Sequence, residues 1–159
     1  MAGQVADRGL ETAEPDAFLS AFDAFAQAVR RARGAPAGQA RVLTLSQYGL
    51  LELLLDEDHA RVRDLAEYAG VSAPTATRIL DTLERRGLVR RRQSSEDRRG
   101  VSVTLTDRGR RALNERHAWI RNRQRAFYDD LPLPERRLAP ELLLSLADLI
   151  DELTAGPQY

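Results

Sequence analysis

The spacing of apolar residues along the chain predicts helices over most of its length. Near the N-terminus, apolar side chains recur at steps of four, three and four between Asp16 and Arg33: Phe18, Phe22, Phe25 and Val29. Such spacing places them on one face of an amphipathic helix, which Pro15-Asp16 opens. The glycine- and proline-containing stretch 34–38 ends that helix.

A second helix is predicted from Gln47 to Asp56, with Thr44 or Ser46 as its N-cap. Its apolar residues are four leucines and a tyrosine: Tyr48, Leu50, Leu51, Leu54 and Leu55. The run Arg61-Val62-Arg63 is too short to assign, and it fits either a single strand or the start of a helix.

Two further helices are separated by a short turn that contains glycine. The first is predicted from Arg63 to Ala69 and stops at Gly70. Ser72 is the expected N-cap of the second, which has Pro74 in its first turn and runs to Arg86. Two helices joined in this way form the helix-turn-helix signature.

Helical spacing gives way to strand-like alternation at two places. Leu88 to Arg92 and Val101 to Leu105 are short runs of this kind, joined by a polar segment that ends in glycine. A hairpin directly after a helix-turn-helix forms a wing. The predicted fold class is therefore mostly α, a winged helix-turn-helix with additional helices at both ends of the chain.

Two long helices are predicted after the hairpin. The first spans Asp107 to Asp130, with Thr106 as its N-cap, and the second spans Pro134 to Leu153. Apolar residues of the last helix share one face: Leu138, Leu142, Leu146, Leu149 and Leu153. Pro140 should kink this helix or mark its true start. With the N-terminal helix, these faces exceed what a small three-helix head can cover, which leaves a dimer or a monomeric three-helix bundle.

Composition limits the class of protein. The chain has 159 residues, of which 43% are hydrophobic and 30% charged, as in a soluble globular protein. It contains no cysteine, which excludes disulfides, thiolate metal sites and a thiol redox switch. No apolar run approaches the length of a membrane span and the N-terminus does not resemble a signal peptide, so we expect a cytoplasmic protein without a membrane partner.

The formal net charge is zero, but the charges are unevenly distributed. The segment from Arg85 to Arg125 has 14 arginines against 4 acidic residues, a net charge of +10, and the rest of the chain carries −10. The codon usage of a GC-rich genome can explain why every basic residue is arginine. It does not explain why acidic residues avoid this segment. The asymmetry indicates one surface that binds a polyanion.

In a helix-turn-helix, the second helix lies in the major groove with its N-terminal residues on base edges. Candidates for DNA contact in that helix and its cap are Ser72, Ala73, Pro74, Thr75, Thr77 and Arg78. Arginine can pair with guanine, and threonine can contact a base or a phosphate. The alternative is that the two threonines merely face solvent and that Arg78 pairs with Asp81 or Thr82.

The stretch from Asp97 to Gly109, DRRGVSVTLTDRG, resembles the D-x-R-x(5)-L-T-x-x-G signature of MarR-type (multiple antibiotic resistance) transcriptional regulators. The preceding LERRGLVRR, from Leu83 to Arg91, is similar to that family's L-E-x-x-G-L-[IV]-x-R. Order and spacing agree over residues 44–153. The resemblance implies a winged-helix DNA-binding protein whose two chain ends build an intertwined homodimer.

The wing carries the remaining candidates for DNA contact. Asp97 and Arg99 are two residues apart in a tight loop, so the carboxylate can hold the guanidinium in place. By similarity to the family, Arg99 enters the minor groove, where the negative potential favours arginine, and Asp97 braces it. Arg98 is expected at a phosphate. One or two of the arginines in the hairpin stem should also contact the DNA backbone: Arg90, Arg91 and Arg92.

Members of this family often bind small aromatic or phenolic anions between the DNA-binding head and the dimer helices. The candidates for such an effector site are Phe22, Tyr48, His117 and Trp119. Each has a plainer interpretation, with Tyr48 and Trp119 as core or interface residues and His117 as an ordinary interfacial histidine. No cofactor and no metal are predicted, because the only two histidines, His59 and His117, are far apart in sequence. A zinc site formed by His117 with an acidic residue of a partner chain stays an open alternative.

The chain is predicted to divide into four segments: a flexible tail at 1–15, an N-terminal dimerisation helix at 16–43, the winged helix-turn-helix at 44–106 and C-terminal dimerisation helices at 107–155. The predicted function is a dimeric, sequence-specific regulator of transcription, a repressor that binds a palindromic operator in double-stranded DNA. Two alternatives stay open, a module for protein–protein assembly and an architectural DNA binder without sequence specificity. No enzyme is predicted, since the sequence lacks a glycine-rich phosphate loop, H-E-x-x-H and a nucleophile elbow.

Overall fold

The computed structural model describes residues 15–34, 42–93 and 101–156. In chain order these residues form α1 (Pro15–Gly34), α2 (Leu45–Leu51), a 3₁₀ turn (Glu52–Leu55), β1 (His59–Arg61), α3 (Val62–Tyr68), α4 (Ala73–Arg85), β2 (Val89–Gln93), β3 (Val101–Leu105), α5 (Asp107–Asp130) and α6 (Leu133–Ala155). They divide into two compact units, one up to Leu113 and one from Asn114 onward. The fold class is the predicted one, mostly α with a small antiparallel sheet. The predicted tail lies outside the described residues except for Pro15, which begins α1.

The first unit has an apolar core where α2, α3 and α4 pack with the sheet. Its fully buried side chains are leucines and valines: Leu43, Leu50, Leu51, Leu54, Leu65, Leu80, Leu83, Val89, Val103 and Leu113. On α4 the buried positions are Ala76, Leu80 and Leu83, which share one helical face. Each fully buried leucine stabilises the fold by about 2 kcal/mol. The core therefore fixes α4 by one face and leaves the opposite face exposed.

The strands pair antiparallel in the order β1-β3-β2. Val103 of the central strand lies opposite Ala60 on one side and opposite Arg91 on the other. The hairpin strands occupy nearly the predicted positions. The short run 61–63, which fitted either a strand or a helix start, is both, because β1 ends at Arg61 and α3 begins at Val62.

The second predicted helix is capped as expected but ends before Asp56. The backbone N–H of Gln47 donates to Thr44 Oγ1 at 3.2 Å, and that of Thr44 donates to Gln47 Oε1 at 3.2 Å. This reciprocal capping box makes Thr44 the N-cap. The hydroxyl of Ser46, the other candidate, donates instead to the carbonyl of Arg33 at 2.5 Å. The helix was overpredicted because its last turn tightens into the 3₁₀ conformation, which apolar spacing does not distinguish.

The helices at the two ends of the chain present apolar side chains to solvent. Neither α1 nor α6 has a buried residue. The exposed apolar residues of α6 include Leu133, Leu138, Leu142, Leu143, Leu144, Ile150 and Leu153. Pro140 lies inside α6, which begins at Leu133, so this proline does not mark the start of the helix.

The helices of the described residues include none that combines the length and apolar character required to cross a membrane.

The base of the wing is a tight junction between α5 and the end of α4. A β-carbon on Gly109 would lie 1.8 Å from the backbone oxygen of Leu88. Thr106 closes the junction, because its hydroxyl donates to the carbonyl of Gly87 at 2.7 Å and accepts the N–H of Gly109 at 3.0 Å. Thr106 is thus the predicted cap of α5, and it also binds the chain that leaves α4.

We expect Gly109→Ala to destabilise the protein by about 1–3 kcal/mol, because the new methyl group would overlap a backbone carbonyl that cannot rotate away. Chemical denaturation measures the change. The matched control is Gly49→Ala in α2, where a β-carbon would meet nothing within 4 Å. That control should be neutral or stabilising, since alanine favours a helix over glycine by about 1 kcal/mol. Equal stability of Gly109→Ala and the natural protein would contradict the junction.

Candidate nucleic-acid interface

The N-terminal end of α4 is both capped and exposed. Ser72 Oγ accepts the backbone N–H of Thr75 at 3.4 Å and lies 2.9 Å from Thr75 Oγ1. This confirms Ser72 as the N-cap, with proline in the first turn. Most of the predicted contact residues have exposed side chains, namely Ser72, Ala73, Pro74, Thr77 and Arg78, whereas Thr75 is partly covered. The predicted set therefore forms one accessible surface.

Arg78 does not make the carboxylate pair that was its alternative role. Its Nε donates to the carbonyl of Pro74 at 3.5 Å, a weak contact within the same helix. The carboxylate of Asp81 pairs instead with Arg91, and the hydroxyl of Thr82 donates to the backbone carbonyl of Arg78. Within the described part of the chain, no carboxylate neutralises Arg78. Its positive charge stays available on the exposed face of α4.

An open cleft of about 460 Å³ adjoins this face. It lies where α2 meets α4 and is lined by Thr44, Ser46, Gln47, Thr75, Arg78, Ile79 and Thr82. Hydroxyl groups and an arginine are the usual ligands of phosphate oxygens in protein–DNA complexes. The cleft thus extends the exposed polar surface of α4 toward α2.

The three arginines of β2 divide into two kinds. Arg90 and Arg92 are exposed, and Arg91, which alternation places on the other face of the strand, is half-buried. Arg91 Nη2 lies 2.6 Å from Asp81 Oδ1 and 2.7 Å from Glu84 Oε2. The guanidinium is therefore held against α4. From the sequence, the three arginines were predicted as one group, and Asp81 only as an alternative partner of Arg78. Two acids one helical turn apart, shortly before an arginine-rich strand, were the available signal for this contact.

The pKa of Glu84 is lowered by this contact, first through hydrogen bonds from the Arg91 side chain and then through the backbone N–H of Arg91. The pKa of Arg91 is raised, chiefly by its hydrogen bonds to Glu84. Both shifts favour the charged forms, so the pair is fully ionised near neutral pH.

The wing tip falls outside the described residues. It includes three predicted contact residues, Asp97, Arg98 and Arg99. Their roles, including the brace between Asp97 and Arg99, stay predictions.

Comparison with known proteins identifies the family. The MarR family profile matches residues 43–101, which span the helix-turn-helix and reach β3. The regulator FarR of Neisseria gonorrhoeae, described as an HTH-type transcriptional regulator, is 32% identical over 113 residues, 71% of this chain and 77% of FarR. The chain belongs to the MarR family. As a member, it is a DNA-binding transcriptional regulator and not an enzyme.

Solved structures of MarR-type regulators share the fold. FabT of Streptococcus pneumoniae, solved in complex with DNA, superposes with a TM-score of 0.67 at 18% identity, covering 87% of this chain and 96% of FabT. BpsR of Bordetella bronchiseptica, whose DNA binding is regulated by 6-hydroxynicotinic acid, superposes with a TM-score of 0.62 at 22% identity. That superposition covers 80% of this chain and 98% of BpsR. At these identities the likeness shows the fold alone.

The four candidates for an effector site are divided between the two units. Tyr48 is buried in the first unit, where its hydroxyl donates to the Glu52 carboxylate at 2.7 Å. It borders a cavity of about 250 Å³ whose wall also includes Val29, Ala32, Arg33, Leu45, Gly49 and Glu52. Phe22 lies on α1 and stacks with Phe18 at a centroid distance of 6.3 Å. The sequence analysis missed Glu52, although its spacing of four residues from Tyr48 on a helix could have indicated the pair.

The other two candidates, His117 and Trp119, belong to the second unit. The guanidinium of Arg116 lies 4.7 Å from the centre of the Trp119 ring, and the tryptophan is 54% exposed. An exposed indole beside a cation fits an interface residue as well as a ligand contact. Among the residues that the structure describes, no three histidine, aspartate or glutamate side chains come together as a metal site.

The pair of Glu84 and Arg91 predicts a pH-dependent stability. Because the pKa of Glu84 is lowered on folding, its contribution is complete above the usual glutamate pKa of about 4.3 and is lost as pH falls through the lower folded value. Glu84→Gln should therefore lower the free energy of unfolding near pH 7, by about 1 kcal/mol at most since the carboxylate is 39% exposed. The deficit should shrink below about pH 4.

Denaturant titrations at several pH values measure this difference. The control is Glu67→Gln, which removes an exposed carboxylate of α3. A deficit of Glu84→Gln that stays constant down to about pH 3 would contradict the ionic origin of the contact.

Proposed function

We propose that this regulator is a homodimeric repressor that binds an inverted-repeat operator, with α4 in the major groove and the wing in the minor groove. The observation that carries the proposal is the exposure of the N-terminal end of α4, together with the exposed arginines of β2. In a helix-turn-helix protein this end of the second helix contacts base edges. The fold is shared with FabT, which was solved in complex with DNA, and this supports DNA as the partner.

The structure favours a division of roles among the contact residues. Thr77 and Arg78 are exposed on α4 and are proposed to contact bases, whereas Ser72 and the helix N-terminus are suited to phosphate. Arg90 and Arg92 are proposed as contacts to the DNA backbone. Arg91 is removed from that role, because its guanidinium is held by two carboxylates. Asp97, Arg98 and Arg99 keep their predicted roles at the wing tip.

Dimerisation is proposed through segments 16–43 and 107–155. The exposed apolar residues of α1 and α6 support it, since large apolar faces on a single chain mark an interaction surface. The segment 44–106 would then supply one DNA-binding head to each half of the operator. Two heads related by twofold symmetry read an inverted repeat.

A small aromatic or phenolic effector is proposed to modulate DNA binding. The regulation of BpsR by 6-hydroxynicotinic acid supports the class of ligand. In this chain the cavity beside Tyr48 offers an apolar wall with Arg33 and Glu52 as polar groups. Such a mixture of apolar lining and few polar groups is typical of small-molecule sites. Phe22, His117 and Trp119 stay predicted candidates for effector contacts.

The proposed operator binding is tested on the DNA upstream of the protein's own gene. The natural protein should protect an inverted repeat, and both Arg78→Ala and Arg99→Ala should weaken binding about ten- to a hundredfold, as loss of one specific arginine contact does. Gel shifts at several salt concentrations measure the affinities. The charge-matched control is Arg123→Ala, an exposed arginine of α5, which should change affinity little.

Equal affinity for random DNA would favour the architectural alternative. No binding even at low salt would favour the protein–protein assembly module, because phosphate contacts alone give measurable affinity.

The dimer is tested separately. Leu142→Asp should convert the protein to a monomer, because the carboxylate would be buried without a partner in an apolar interface. Light scattering after size-exclusion chromatography measures the mass. Leu144→Asp is the matched control, since Leu144 is also exposed but lies two residues away, on the far side of the helix from the predicted stripe. A Leu142→Asp protein that stays dimeric would contradict the proposed interface.

A further inference from the structure

One carboxylate of the recognition helix is bonded to both the main chain and the side chain of the wing strand. Glu84 Oε1 accepts the backbone N–H of Arg91 at 3.1 Å. Glu84 Oε2 accepts Arg91 Nε at 2.9 Å and Nη2 at 2.7 Å. Asp81, one turn earlier on α4, accepts Arg91 Nη2 at 2.6 Å. These four hydrogen bonds form the Arg91 clamp.

We propose that Glu84 and Asp81 are positioning residues that fix the wing strand β2 relative to the recognition helix and thereby increase the affinity for the operator. The proposal rests on the proposed function in assuming that α4 and the wing contact one operator together. It assigns to two acidic residues a favourable role in binding a polyanion.

The position of β2 in the sheet supports the proposal. β2 is an edge strand, paired only with β3 within the described sheet, so its outer side presents backbone groups without a strand partner. Glu84 Oε1 satisfies one of these, the N–H of Arg91. The Glu84 side chain thereby takes the place of a neighbouring strand at this point. It fixes both the main chain and the side chain of Arg91.

An alternative role for Arg91, in which its guanidinium contacts a DNA phosphate, fits the geometry less well. Its Nε and Nη2 both donate to carboxylates, and the side chain is only 25% exposed. Exchange of three ionic hydrogen bonds for one phosphate contact would offer no clear gain. The bond from the Arg91 backbone N–H to Glu84 would also be unnecessary for that role.

A purely electrostatic effect of Glu84 and a role in positioning the wing predict opposite changes in operator affinity for Glu84→Gln. Glu84→Gln removes a negative charge next to the DNA-binding surface, and simple electrostatics predicts tighter binding and a steeper salt dependence. If Glu84 positions the wing, the same change should instead weaken operator binding, by about tenfold. Glu67→Gln removes an exposed carboxylate of α3 that takes no part in the clamp, and it should bind as tightly as the natural protein or more so.

A double-mutant cycle with the wing tip separates positioning from general destabilisation. In the natural background Arg99→Ala should lose the full contribution of the wing. In the Glu84→Gln background the same change should cost much less, because the wing tip is already displaced. Asp81→Asn, which leaves all bonds to Glu84 in place, should give the same pattern in weaker form. A merely destabilised but correctly placed wing would leave the Arg99→Ala effect unchanged.

Hydrogen exchange of the free dimer provides a readout that does not need DNA. Glu84→Gln should accelerate exchange of the β2 amides more than that of the α2 and α3 amides, whose exchange reports only the small loss of global stability. Unchanged exchange in β2 would overturn the proposal whether or not the protein binds an operator. With a binding-competent natural protein, tighter binding by Glu84→Gln or an undiminished Arg99→Ala effect would also overturn it. Failure of the natural protein to bind any DNA would instead refute the proposed function.

Discussion

The DNA-binding surface depends on the close approach of Gly109 to the backbone of Leu88. Leu88 follows the end of α4 and precedes the wing strand β2, so contact there ties the recognition helix, the wing and α5 together. Thr106 strengthens the same junction through its hydroxyl. The L-T-x-x-G part of the family signature is therefore a packing motif, in which threonine supplies hydrogen bonds and glycine supplies space.

The side chains of β2 alternate between its two faces, and this separates the paired arginine from the exposed ones. Arg90 and Arg92 lie on the exposed face of β2, and Arg91 lies on the face that meets α4. Acidic residues within a polyanion-binding region would oppose its function if they were free. Asp81 and Glu84 are instead directed at Arg91, so the internal ion pairs occupy one face of the strand and the positive charge facing solvent stays on the other.

Local signals were sufficient to predict much of the DNA-binding unit. Ser72 and Thr106 cap helices through their own hydroxyls, and the alternation of 101–105 specifies a strand within five residues. Features that depend on distant residues could not be predicted in this way. The pairing of β1 with β3 joins segments some forty residues apart, and the partners of Arg91 lie on a preceding helix. Which effector candidates lie near one another depends on the packing between helices. The spacing of residues within one helix does not determine that packing.

The long helix α5 begins in the DNA-binding unit and continues into the second unit after Leu113. Only Gly109 and Leu113 of this helix are buried, both next to the wing base. In the proposed dimer, the apolar faces of α1 and α6 set the separation of two recognition helices, which must match half-sites about 34 Å apart. Gly109 fixes the start of α5 against Leu88, so the first turn of this helix belongs to the DNA-binding unit.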